Sequence, residues 1–343
     1  MTNPEGRYSR SRREFLDDGW SSDEAAPPLP TEVGEDAART AITRNRSPDI
    51  PFEQSVNMYR GCEHGCIYCY ARPSHAYLGL SPGLDFETRL LAKSAAPELL
   101  ERELAARNYR CQVIALGANT DPYQPIERQR ALTRRILEIL LDCRHPVSIT
   151  TKAALIERDL DLLTMLAERR LVQVNVSLTT LDRGLARVLE PRAAAPERRL
   201  AVMRCLAQAG VPVAVLVAPV IPVLTDAELE RLLEQAAAAG ASQAQYLILR
   251  LPLELKELFA AWLDAHYPLA KQHVLNRLAE FHGGELYRSG FGTRQTGTGV
   301  YAELMRQRFR LAIRRLGLNQ RSLNLDTTQF RPPLRPGQQM SLF

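Results

Sequence analysis

The sequence predicts an α/β fold. Two observations carry this. Short β-branched runs alternate with helical patterns through the middle of the chain, and the strand-like runs are apolar without break. Continuous apolar strands belong to a parallel sheet covered by helices, not to a sheet with one wet face. The 343 residues and 45% hydrophobic content allow one large domain of the α/β barrel size with tails, or two ordinary domains.

Taken in order, a strand near Val56 to Tyr59 opens the series. "CQVIALGA" (Cys111 to Ala118) reads as a buried strand. The following "ALTRRILEILLDCR" has Leu132, Ile136, Ile139 and Leu140 at helical spacing. Strand "VSITT" precedes helix "IERDLDLLTMLAERR", and strand "VQVNVSLTT" precedes helix "APERRLAVMRCLAQAG". Strand "VPVAVLVAPV" then leads to "DAELERLLEQAAAAG", and "AQYLILRL" to "LELKELFAAWLDAHY". Gly210 and Gly240 stand where helices end, as the position after a C-cap prefers. The count is about six βα units. An open barrel, a complete barrel and a doubly wound sheet all fit it. No fixed-period repeat is present.

The ends differ from the middle. Residues 1–50 mix charge, Pro and Ser without apolar periodicity and are expected to be mostly disordered. The core is expected over 51–285, a basic extension over 286–318 and a flexible tail over 319–343, where "RPPLRPGQQMSLF" resists regular structure. The N-terminus has no apolar h-region, and no run of eighteen apolar residues occurs. A cytoplasmic protein with reduced thiols and no membrane span is expected.

Six cysteines are present. Cys111, Cys143 and Cys205 are scattered through apolar segments and read as small core residues. Cys62, Cys66 and Cys69 are different. They stand in "YRGCEHGCIYCYAR", straight after the first strand, where a barrel places its chemistry. A structural zinc site wants four ligands, and no second pair follows. His64 lies between Cys62 and Cys66, where a tetrahedron would be crowded. A c-type haem site needs His after the last Cys, and position 70 is Tyr. A redox pair of Cys66 and Cys69 leaves Cys62 unexplained. Three thiolates on one loop can hold three irons of a [4Fe–4S] cube and leave the fourth iron open to a small molecule. Gly61 and Gly65 let the backbone wrap closely and aim N–H groups at sulfide.

This spacing, with Tyr68 before the last Cys, resembles the motif of the radical S-adenosylmethionine (SAM) family. The likeness extends to "GCEHGCIYCYARPSHAYLGL", "LGANTDPYQPIE", "TTKAALIERDLDLL" and "LEPRAAAPERRL", which resemble the spore photoproduct lyase-like branch over about residues 40 to 315. The resemblance implies a partial (βα)6 barrel. It implies a [4Fe–4S] cluster on Cys62, Cys66 and Cys69, bound S-adenosylmethionine, and an electron donor such as flavodoxin or ferredoxin. It also implies that Tyr68, Thr120, Asp121, Lys152 and Ser177 line the cofactor, with Lys152 neutralising the methionine carboxylate. Glu127 reads either as a further site carboxylate or as a helix N-terminal charge. One departure stands out. The lyases carry a hydrogen-returning Cys just ahead of the Thr-Asp pair, and here that position is Ala118, with Cys111 at the far end of the strand. Tyr70 and Tyr123 are the alternative relay candidates.

Two features point to nucleic acid. Ten Arg and no Lys lie between Arg288 and Arg335, against Glu303 and Asp326. On "YAELMRQRFRLAIRRLGL" the residues Met305, Phe309, Ala312 and Leu316 form an apolar face, and Arg306, Arg310 and Arg314 a separate row suited to phosphates. The last five residues, "QMSLF", resemble the peptide by which bacterial replication and repair proteins dock on the sliding clamp, with Gln339, Leu342 and Phe343 as anchors. The leading expectation is thus an enzyme of radical chemistry acting on a nucleic acid lesion or nucleotide. Radical chemistry on a protein or small molecule, and a non-catalytic zinc or redox adaptor, remain alternatives.

Overall fold

The computed structural model describes residues 18–20 and 30–333. The strands are β1 (Glu32–Glu35), β2 (Ile42–Arg44), β3 (Gln54–Val56), β4 (Tyr59–Arg60) and β5 (Arg89–Ala92). They continue as β6 (Ile114–Leu116), β7 (Val147–Thr151), β8 (Val172–Ser177), β9 (Val213–Val220) and β10 (Gln243–Ile248). The helices are α1 (Asp85–Thr88), α2 (Ala96–Leu104), α3 (Glu127–Arg130), α4 (Leu132–Asp142), α5 (Leu160–Glu168) and α6 (Arg183–Leu189). Then come α7 (Pro196–Gln208), α8 (Leu229–Ala238), α9 (Leu255–His266), α10 (Lys271–Phe281) and α11 (Val300–Leu316).

The main sheet has seven strands in the order β10-β9-β8-β7-β6-β3-β2. All neighbours pair in parallel except β2, which runs antiparallel to β3. Order in the sheet follows order in the chain, with no reversal that would give a doubly wound sheet its switch point. Right-handed crossovers between consecutive neighbours put the connecting helices α2, α4, α5, α7 and α8 on one face, so the sheet curls into an open barrel of six parallel strands.

Period two decides which side chains enter the barrel. On β7, Val147, Ile149 and Thr151 are buried toward the helices, while Ser148 and Thr150 alternate with them and are half-buried. On β8, Val172, Val174 and Val176 pack outward and Gln173 and Asn175 face in. Asn175 Nδ2 donates to Ser148 Oγ at 3.0 Å and to the Ile149 carbonyl at 3.1 Å. The lumen is therefore polar, and only the outer face of these strands is the apolar run read from sequence. Outside, Ile136, Leu137 and Leu140 of α4 and Leu163 and Leu166 of α5 are fully buried. Each such side chain contributes about 1.5–3 kcal/mol by leaving water.

The ends are more ordered than their composition suggests. Residues 32–35 and 42–44, expected to be disordered, are strands: β1 joins β5 and β4 in a second sheet, and β2 extends the barrel sheet. The basic extension is part of the same body. Helix α11 buries Met305 and Ala312 and half-buries Phe309 and Leu316, the face read from sequence. Its Phe309 ring sits 4.9 Å from Tyr246 of β10, and Arg308 pairs with Glu230 of α8 at 2.6 Å. Of the tail expected to be flexible, residues 319–333 pack across the base of the barrel. The Asp326 N–H donates to the Arg170 carbonyl at 3.0 Å and the Arg331 N–H to the Cys143 carbonyl at 2.8 Å. Composition gives no sign of this, because the tail is held through its backbone, the Phe330 ring and the side-chain amides of Asn319 and Gln329, which bond backbone groups. The clamp-like Gln339, Leu342 and Phe343 lie outside the described residues. Of the three scattered cysteines Cys143 is buried, whereas Cys111, in the loop ahead of β6, and Cys205, in the last turn of α7, are half-buried.

Candidate active site at the mouth of the barrel

The cysteine loop leaves β4 at the C-terminal end of the barrel strands. Gly61 and Gly65 hold positive φ of 81° and 68°. A Cβ on Gly61 would stand 2.8 Å from the Phe86 carbonyl oxygen, and one on Gly65 would overlap the Arg192 guanidinium and the Glu87 carboxylate. The loop is gripped from outside. Arg72, fully buried, donates from Nε to the Cys66 carbonyl at 2.8 Å and from Nη2 to the Gly65 carbonyl at 2.9 Å. Arg192 donates to the Glu63 carbonyl, and both arginines pair with Glu87. Gln124 fastens the other side, accepting from the Glu63 N–H at 2.9 Å.

Cys62 and Cys66 are buried and Cys69 half-buried. Burial pushes the Cys66 thiol up to about 12, with Lys152 pulling the other way. Cys62 rises well above the ordinary range, again by burial first and by the Asp121 charge second. Thiols this dry ionise only beside strong positive charge, such as iron supplies. Among the described residues no three His, Cys, Asp or Glu side chains converge on a single-ion position. Three cysteines on one clamped loop, two of them buried, are a donor set that fits three irons of a cube.

The strand-end residues meet around this loop. Asp121 is saturated: it accepts from the Tyr123 N–H at 2.9 Å, Thr151 Oγ1 at 2.7 Å and the Lys152 N–H at 2.7 Å, and its Oδ2 lies 3.3 Å from His64 Nδ1. Burial opposes its charge, but His64 and these N–H groups hold it below the usual carboxylate range. His64 is thereby committed to Asp121. Thr120 Oγ1 donates to the Tyr59 carbonyl at 3.3 Å. Lys152 follows Ser148 and Thr150 on the lumen face, and Ser177 follows Gln173 and Asn175. Lys152 Nζ donates to Ser177 Oγ at 2.9 Å and stands 5.8 Å from the Tyr68 ring centre.

Behind Lys152 lies a charge network that sequence reading left unassigned. Tyr68 Oη donates to Glu190, which also pairs with Arg199. All three are buried. Burial works against the Glu190 charge, yet Arg199 and Lys152 hold its carboxyl at about 2. Arg199 Nη1 also donates to the Ser177 carbonyl at 3.1 Å, tying the network to β8. Both residues stand in "LEPRAAAPERRL", yet nothing in that segment's spacing marks Glu190 and Arg199 as partners.

The two relay candidates part company. Tyr70 follows Cys69 directly. Its hydroxyl donates to the Ala118 carbonyl, and the Arg250 guanidinium lies 5.0 Å from its ring centre. Tyr123 is fully buried beside Arg158 and Asp159, with Arg158 6.0 Å from its ring centre; its hydroxyl lies within the packed wall. Glu127 is likewise spent within the wall, accepting from Tyr59, from Arg158 at 2.9 Å and from the Thr133 N–H at 3.0 Å. Cys111 precedes β6, at the base of the barrel and away from the mouth.

Comparisons with known proteins agree with this geometry. Uncharacterised proteins of Mycobacterium tuberculosis and Mycobacterium bovis are 40% identical over 243 residues, covering 70% of this chain and 69% of theirs. An uncharacterised protein of Methanocaldococcus jannaschii is 27% identical over 225 residues, 65% of this chain and 80% of its own. Among solved structures, spore photoproduct lyase complexed with dinucleoside spore photoproduct shares the fold, with a TM-score of 0.61 and 18% identity over 89% of this chain and 88% of that one. A mutant of that lyase with bound AdoMet gives a TM-score of 0.59 at 19% identity, over 83% of this chain and 80% of that one. The model of the radical SAM superfamily matches residues 56–236, more than half of the chain. The chain therefore belongs to the radical SAM superfamily, enzymes that use a [4Fe–4S] cluster and S-adenosylmethionine.

Proposed function

We propose that the chain is a radical SAM enzyme acting on a nucleic acid lesion or a nucleotide, with its cluster on Cys62, Cys66 and Cys69. When bound, the cluster supplies an electron that splits S-adenosylmethionine and yields a radical able to take hydrogen from a substrate. The residues of the chain do the rest. Arg72, Arg192 and Glu87 fix the loop before iron arrives. Lys152 offers the lumen a cation beside Ser177, suited to the methionine carboxylate. Tyr68, braced by Glu190, walls the side facing β8.

The observation that carries the radical step is the arrangement of three buried thiols on a clamped loop at the strand ends, with Lys152 beside them. The nucleic acid substrate rests on the fold shared with a lyase complexed with dinucleoside spore photoproduct, and on the polar lumen. Phosphate contact through α11 falls to Arg310 and Arg314, both exposed. Arg306 and Arg310 already pair with Glu303 at 2.9 Å, which weakens the row. Recruitment to a sliding clamp through Gln339, Leu342 and Phe343 and reduction by flavodoxin or ferredoxin complete the proposal. No helix of the described residues is long and apolar enough to cross a membrane.

The test is anaerobic reconstitution with iron and sulfide, then dithionite and S-adenosylmethionine, with 5′-deoxyadenosine quantified. Product that disappears in Cys66→Ala supports the radical step. Absence of product from the iron-loaded protein overturns it. Damaged DNA added to the active protein then tests the substrate by the change in dimer content.

A further inference from the structure

We infer that Arg250 is a phosphate-binding residue that holds a nucleotide substrate over the cysteine loop. The inference rests on the nucleotide reading above and narrows it to one side chain.

Arg250 follows β10, the last strand, so it stands on the same rim as the cysteine loop. Its backbone is fixed on both sides. The Leu249 N–H donates to the Val220 carbonyl at 3.0 Å, the Ile248 N–H donates to the Gln295 carbonyl at 2.9 Å, and Leu249 and Leu251 are buried. The guanidinium lies over the ring of Tyr70, 5.0 Å from its centre. That ring is itself immobilised, because the Tyr70 hydroxyl donates to the Ala118 carbonyl on the opposite strand end. Tyr70 remains 47% exposed, so a ligand in the mouth can reach this plate.

Of the other charges of the rim, Asp121 is occupied by His64 and three hydrogen bonds, Arg72 and Arg192 by Glu87, and Arg199 by Glu190, while Lys152, bonded only to the neutral Ser177 hydroxyl, is the cation assigned to the cofactor carboxylate. Arg250 has no hydrogen bond or carboxylate among the described residues; the Tyr70 ring is its partner. A half-buried guanidinium stacked on an aromatic ring keeps its N–H edge free, and that edge matches the paired oxygens of a phosphate. The face of a fixed ring beside it suits a stacked base. The plate follows Cys69 directly in the chain, so it and the cation above it border the cysteine loop.

The probe is thymidylyl-thymidine, which has one phosphate, against its neutral methylphosphonate analogue. Binding to the cluster-loaded full chain is measured by calorimetry, alongside binding of S-adenosylmethionine alone. The wild-type protein is expected to prefer the charged dinucleotide by roughly ten- to a hundredfold, the range of one charge-assisted contact. Arg250→Gln should erase that preference, and Arg250→Lys should keep most of it. A preference that survives Arg250→Gln overturns the assignment. Equal binding of both probes by the wild type overturns it too, while leaving a nucleotide substrate in place. Binding of neither probe removes the nucleotide reading itself. Loss of S-adenosylmethionine binding in Arg250→Gln, with the dinucleotide preference intact, assigns the cation to the cofactor carboxylate instead.

Discussion

Glu190 and Arg199 form an ion pair in the wall behind the cysteine loop, exposed by only 1% and 2% of their surface. Such a pair gains little over a well-packed apolar pair, but removing one partner strands the other charge without water. Glu190→Gln leaves Arg199 facing a neutral group and Tyr68 with a weaker acceptor. Urea unfolding of the iron-free protein should show a loss of about 3–5 kcal/mol for either Glu190→Gln or Arg199→Met. The double variant should lose less than the sum of the two, since the groups share one interaction. Additive losses would mean that the pair does not act as a unit.

Gly65→Ala and Glu87→Gln test the clamp on the loop. A methyl on Gly65 meets Arg192 and Glu87 and also strains a backbone at φ 68°. Glu87→Gln leaves both arginines short of a charge. The helices and barrel strands do not depend on either, so far-ultraviolet circular dichroism should stay unchanged while iron bound per chain after reconstitution falls several-fold. Full iron loading in both variants would show that the loop forms its cradle without the clamp.

Lys152→Ala separates cofactor binding from cluster assembly. Lys152 bonds Ser177 and stacks near Tyr68, but it is no ligand of iron. Iron content should be kept, and affinity for S-adenosylmethionine should fall by roughly ten- to a hundredfold, the range of one charge-assisted hydrogen bond. Unchanged affinity would move the carboxylate contact to another cation.

Much of the architecture was legible because each βα unit carries its own periodicity. Of the helical spacing Leu132, Ile136, Ile139 and Leu140, three residues form the buried face of α4 with Leu137, and Ile139 is half-buried at its edge. Cys62, Cys66, Cys69, Lys152 and Ser177 could be named because a short motif or a strand end marks each. What stayed hidden depends on partners distant in sequence. Arg72 looks like any basic residue until Glu87, Gly65 and Cys66 fold around it. The role of Glu190 exists only through Arg199 and Tyr68. Arg250 is recognisable only once the sheet brings Tyr70 beneath it. The packed tail was missed for the same reason: backbone hydrogen bonds to Arg170 and Cys143 leave no pattern in composition.

His145 makes stability depend on pH at the base of the barrel. The ring is fully buried. Its Nδ1 lies 3.0 Å from the Pro146 carbonyl and its Nε2 2.7 Å from Tyr109 Oη, and Phe330 of the tail crosses it edge-on at 5.2 Å. Burial lowers its pKa to about 4, with the Pro146 carbonyl pulling weakly the other way. In the unfolded chain the imidazole titrates near 6.5. Below that value the unfolded state binds a proton that the folded state refuses until pH nears 4, so the contribution is complete above 6.5 and is lost as pH falls toward 4. The loss amounts to at most on the order of 3 kcal/mol, from 1.36 kcal/mol per pKa unit. His75 and His282 are also lowered by burial, so the wild type alone does not isolate the effect. The measurement is therefore the difference in unfolding free energy between wild type and His145→Gln from pH 7 to pH 4. That difference should shrink as pH falls, because the variant has no imidazole to protonate. A difference that stays flat across the window would mean that the folded base admits the proton. In Phe330→Ala the same difference should shrink less, since removing the ring lets water reach the imidazole and raises its pKa toward the ordinary value.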